Sequence, residues 1–241
     1  FHKSLFILVY HQLFMSFNEF IKELNGNRVE GELIKTIFYS LITSFVILGL
    51  LYFFKFRYIE GFIEKQGYFL FFSALSYSFI IPTIRQVRAY KEFACMSGMM
   101  IGMTTGMISG FLAGFYVAST NGMFIGSVFG IGIGIILGIW NGKCCGIMGS
   151  MEGLMAGFMG GLMGAMTAFM LFNDHLIASM IIVFFISSII LFLLNYMIYK
   201  EMKENERQIH EDHVWTFVIT FILINLTIWL MVFGPRSGVF G

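Results

Sequence analysis

Long apolar runs alternate with short polar breaks along almost the whole chain. A membrane-crossing helix needs about 20 predominantly apolar residues at a rise of about 1.5 Å each. Seven runs fit: 36–54, 67–84, 93–118, 122–140, 144–172, 175–199 and 214–233. The second is short and contains Pro82, which makes it the weakest of the seven. Residues 5–21 are also apolar, but His11, Gln12, Asn18 and Glu19 interrupt them, and the pattern predicts an interfacial amphipathic helix. The expected fold is therefore all-α, a polytopic transmembrane bundle of about seven spans. Its divisions are an N-terminal interfacial segment, 1–35, and two flanking helices, 36–92. A three-helix membrane core, 93–172, follows, and then two C-terminal helices with a charged loop between them, 173–241.

The polar breaks carry the orientation. With seven spans, one side receives Lys3, Lys22, Arg28, Lys35, Arg85, Arg88, Lys91, Lys143, Lys200, Lys203 and Arg207, which is 11 of the 15 basic residues. The other side receives Lys55, Arg57, Lys65 and Arg236. Basic loops stay in the cytoplasm, so this predicts a cytoplasmic N-terminus in an inner or plasma membrane. Trp140, Trp215, Tyr68, Tyr90, Tyr196 and Tyr199 fall near span ends, where aromatic belts sit.

Composition agrees with the pattern. The 241 residues are 58% hydrophobic and 12% charged, with a mean hydropathy of +0.82. A soluble domain carries about 25% charged residues. A net charge of +1 gives no electrostatic footprint for nucleic acid. The lipid bilayer is the expected surround. Cys95, Cys144 and Cys145 abut apolar runs and read as free thiols.

Glycine and methionine concentrate in one region. Residues 95–170 hold 19 of the 27 Gly and 13 of the 18 Met. Three series recur every four residues: Gly98 to Gly114, Gly122 to Gly142, and Gly149 to Gly161. That spacing lines one face of each helix and lets backbones approach closely, so three central glycine-zipper helices are expected. Asn121-Gly122 and Asn141-Gly142 are the expected tight turns between them, because Asn and Gly tolerate left-handed backbone angles. The same faces suit a homo-oligomer or a larger membrane complex.

Opposite the glycines of 144–170 lies a sulfur-rich face. At about 100° per residue, Met151, Met155, Met159, Met163, Met166 and Met170 fall within about 60° of Met148, with Cys144, Cys145 and Glu152 in the same sector. Met99, Met103 and Met107 form a second ladder that starts near Cys95. Thiolate and thioether are soft ligands that select Cu(I) over hard ions. Repeated weak sites are what ion movement requires. The alternative is packing, since Met fills irregular gaps between helices. The candidate metal ligands are Cys95, Met99, Met103, Met107, Cys144, Cys145, Met148, Met151, Glu152, Met155, Met159 and Met163.

The pairs Met99-x-x-x-Met103 and Met103-x-x-x-Met107, followed by Gly122-x-x-x-Gly126, resemble the paired motifs of the Ctr copper transporters. The resemblance implies Met rings that select Cu(I) and a Gly motif that packs the helices of a trimer. It covers about thirty residues and is a likeness in chemistry. Those transporters have three spans and no comparable seven-Met ladder.

Other polar groups point less far. His210 and His213, with Glu211 and Asp212, form either a divalent-ion site or a solvated loop. Asp174 and His175 are either cap residues or an outer mouth. No Gly-x-Ser-x-Gly, P-loop or His-Glu-x-x-His is present, and no enzyme is expected. The expected function is membrane transport of a soft metal. The alternatives are an accessory subunit of a larger complex and a homo-oligomeric glycine-zipper pore.

Overall fold

The structure is a computed structural model that describes residues 20–21, 29–54, 67–90, 93–202 and 213–235. The described residues contain no β-strand. Their long helices are α1 (Val29–Phe54), α2 (Tyr68–Ala89), α3 (Cys95–Asn121), α4 (Met123–Gly142), α5 (Gly146–Met170), α6 (Leu176–Met202) and α7 (His213–Phe233). Six segments are long and apolar enough to cross a membrane; Met123–Met170 counts as one segment of 48 residues, folded back on itself at a 3₁₀ turn, Lys143–Cys145. The interfacial helix expected over residues 5–21 lies largely outside the described residues, as does the His210 to Asp212 stretch.

Three boundaries differ from the sequence reading, each for a physical reason. Helix α2 runs through Pro82 to Ala89, so Arg85 and Arg88 sit in its last turns rather than in a loop. Neighbouring helices and local adjustments make a proline tolerable inside such a helix. Second, α4 continues through Asn141 and Gly142, and the turn falls on Lys143–Cys145 instead. Gly146 takes the left-handed angle there, φ +70°. Gly122, at φ +110°, does close the α3–α4 connection as its sequence predicts. Third, Cys144 and Cys145 belong to the 3₁₀ turn and do not extend the methionine face of α5 as helix residues.

Helices α3, α4 and α5 form the tightest unit, with α4 antiparallel to the other two. Their glycines meet in four layers: Gly102, Gly142 and Gly149; Gly106, Gly138 and Gly153; Gly110, Gly134 and Gly157; Gly114, Gly130 and Gly161. A Cβ on Gly102 would lie 2.9 Å from both Gly142 Cα and the Gly149 carbonyl oxygen. One on Gly134 would lie 2.8 Å from the Gly157 oxygen. Backbone fills the axis of this unit, which leaves no channel along it.

Helix α2 joins that unit to the flanking helices. Ser76 Oγ and Tyr116 OH are 2.8 Å apart and tie α2 to α3. Tyr77 OH and Thr227 Oγ1, 2.9 Å apart, tie it to α7. Gln86 Nε2 donates to the Asn195 carbonyl on α6 at 3.2 Å. At the far end, Asn121 Nδ2 donates to the Leu230 carbonyl at 2.8 Å, joining α3 to α7. Arg88 lies over the rings of both Trp140 (5.0 Å) and Trp215 (5.2 Å), a cationic clamp across α2, α4 and α7. The apolar core gathers Tyr77, Ile80, Leu112, Phe115 and Tyr116 around these ties.

Candidate functional site

The three cysteines come together at one end of the central unit. Cys95 opens α3, and Cys144 and Cys145 make the turn between α4 and α5. The close approach of α3 to this turn is set by Gly98, one helical turn beyond Cys95. A Cβ on Gly98 would meet Cys145 Cβ at 2.6 Å and Cys144 Sγ at 3.2 Å. Cys145 Sγ donates to the Cys95 carbonyl at 2.9 Å, and Cys144 Sγ donates to the Asn141 carbonyl at 3.2 Å. All three are free cysteines.

Their protonation follows from these neighbours. Cys145 is pushed up to about 11, first by hydrogen bonding with the Cys95 side chain, which favours the neutral thiol. Cys144 is raised by burial, with a smaller push from the negative charge of Glu201. Both are therefore thiols at neutral pH until something displaces the proton.

Glu201 is the residue that sequence reasoning missed. It lies near the end of α6, and one carboxylate oxygen accepts from the Ala94 backbone N–H at 2.9 Å, beside Cys95. Its other oxygen, Oε2, is buried with no hydrogen-bond partner. In the sequence it belongs to an ordinary charged stretch, and only the packing of α6 brings it to the thiols. Among the described residues, no three of His, Cys, Asp and Glu form a ready metal cage. What the end of the bundle offers is soft donors gathered beside one carboxylate.

The methionines of α5 point away from the bundle. Met148, Met151, Met155, Met159, Met163, Met166 and Met170 are 44–66% exposed, while the glycines on the opposite side of the helix are buried. On α3, Met103 and Met107 are exposed too, and Met99 is half-buried. The two helices run parallel and touch closely: a Cβ on Gly160, next to Met159, would press on the backbone of Met107. The two ladders thus lie on the outside of the α3–α5 pair, and neither lines an enclosed path within one chain. Glu152 is half-buried in the second turn of α5. Asp174 and His175 sit exposed in the α5–α6 turn, 3.7 Å apart, and His175 adopts φ +33°.

A second polar constellation lies elsewhere. Arg85 on α2 is buried and pairs with Glu32 on α1 at 2.9 Å. The sequence pattern places Arg85 in a loop, because hydropathy falls at the end of that run. No known family model, curated protein or solved structure matches this chain.

Proposed function

We propose that this chain is an integral membrane protein that takes up a soft metal ion such as Cu(I) at the thiol end and moves it along the methionine faces. The observation that carries the reading is the convergence of Cys95 with Cys145, fifty residues apart in sequence, at one end of the bundle. A soft ion displaces the thiol protons and gains anionic ligands there, and Glu201 adds a carboxylate beside them. Thioethers stay neutral, so the ion leaves this end for successive weak sites without further buried charge. By the distribution of basic residues, the thiol end is cytoplasmic.

The outward methionine faces add a condition. Metal moving along them travels between this chain and whatever packs on it, either a second copy or another membrane subunit. The four glycine layers, completed by α3, α4 and α5 within one chain, support a packing role for the glycine series.

One specific observation favours a second reading, an accessory subunit. Seven exposed methionines on one helix also make an adaptable surface for a partner helix. Reconstitution separates the two. Proteoliposomes should accumulate Cu(I), and a Met155→Leu/Met159→Leu/Met163→Leu variant should accumulate it more slowly. No accumulation by either sinks the transport reading and leaves the accessory one; equal accumulation by both removes the methionine face from the path.

A further inference from the structure

We propose that Cys95 and Cys145 close into a reversible disulfide on reaction with a low-molecular-weight disulfide such as oxidised glutathione, which makes the thiol end a redox-modification site. The cross-link itself does not depend on the metal reading. Its effect on cargo rests on that reading: the bridge withdraws two of the three thiols as soft ligands.

Geometry singles out this pair. Cys145 Sγ lies 2.9 Å from the Cys95 carbonyl oxygen, and the two side chains hydrogen-bond each other. A carbonyl oxygen sits about 2.4 Å from its own Cα, so the Cys145 sulfur is at most about 5.3 Å from Cys95 Cα. A bridge of ordinary dimensions, with Cα atoms about 5.5–6 Å apart, is within that reach. Other contacts hold the two backbones in place. A Cβ on Gly98 would lie 2.6 Å from Cys145 Cβ and 3.5 Å from Cys145 N, so the turn packs directly on the first turn of α3. Glu201 fixes the residue before Cys95 by accepting from the Ala94 N–H at 2.9 Å. Cys144 is turned elsewhere: its Sγ donates to the Asn141 carbonyl at 3.2 Å, back on α4.

The simplest competing account is that all three cysteines are small packing side chains. Free cysteines in that role are among the most buried residues and are inert. Here Cys95 is exposed, and Cys144 and Cys145 are only half-buried. Accessible thiols with a second thiol in reach are the ones that oxidise reversibly.

Cys95, the exposed member, reacts first. Its thiolate attacks one sulfur of the small disulfide, forms a mixed disulfide and releases one small thiolate. The Cys145 thiolate then attacks the Cys95 sulfur of that mixed disulfide, forms the bridge and releases the second small thiolate. The two protons lost by the cysteines pass to the two small thiolates, and two electrons pass from the cysteines to the small disulfide.

The test is intact-mass spectrometry and thiol counting on the full chain in lipid nanodiscs, with a metal chelator present. Oxidised glutathione is added at mildly alkaline pH, where thiolate is more abundant. The wild type should lose two of its three thiols and about 2 Da, carry no glutathione, and recover all three thiols with dithiothreitol. Cys144→Ser should still close the bridge, whereas Cys145→Ser should keep glutathione on Cys95. Stable glutathione adducts on the wild type, a bridge that persists in Cys95→Ser, bridges between chains, or three untouched thiols would each overturn the proposal.

Discussion

Gly106 and Gly153 approach so closely that a Cβ on the first would sit 2.8 Å from the carbonyl oxygen of the second. That distance is shorter than real Cβ contacts, and the obstacle is backbone rather than a movable side chain. Gly106→Ala should therefore force α3 and α5 apart and destabilise the protein by about 1–3 kcal/mol, the range for overpacking a close-packed interior. Gly132 stands outside the fourfold series, and a Cβ added to it would meet nothing within 4 Å. Gly132→Ala should leave the melting temperature unchanged or slightly raised, because Ala favours the helix by about 1 kcal/mol. Thermal melting in detergent distinguishes the two, and equal effects would contradict the layered packing.

Arg88 between Trp140 and Trp215 supplies a second test. Arg88→Ala removes a cation shared by two rings, each contact being worth about 0.5–2 kcal/mol depending on solvation. The melting temperature should fall, and tryptophan emission should shift as both indoles lose their charged neighbour. Unchanged emission would mean that the clamp does not form.

Thiol titration gives a pH prediction with a definite sign. Hydrogen bonding raises Cys145 to about 11, and burial raises Cys144, so the reactive thiolate is scarce at neutral pH. Alkylation of these two should be slow near pH 7 and accelerate as pH rises toward 11. Metal binding must displace the same protons, so apparent Cu(I) affinity should rise with pH over the same interval. Rapid alkylation of Cys145 at neutral pH would contradict the Cys95 contact.

The methionine face separates chemistry from packing. Met155, Met159 and Met163 are exposed, so replacing all three by Leu should change stability by no more than about 0.5 kcal/mol, as for substitutions outside the core. A large loss of stability would place these side chains in a packed interface and favour the accessory reading.

How much of this was legible in the sequence depends on what each feature rests on. The helices were, because apolar runs of bilayer length leave few other folds. The glycine layers were half legible: a spacing of four announces a close-packed face, but only the structure pairs Gly102 with Gly142 and Gly149 in one chain. Hydropathy hid Arg85, since a window average falls at a charge whether the helix ends there or continues. Glu201 reaches the thiols through the packing of α6, and no local pattern announces it.

The most direct measurement is a Cu(I) titration of the purified protein under reducing conditions, wild type against Cys144→Ser/Cys145→Ser/Met148→Leu. The account predicts tight binding to the wild type that the variant loses while keeping its melting temperature. Absence of Cu(I) binding by the wild type, or equal binding by the variant, would contradict a metal site at the thiol end.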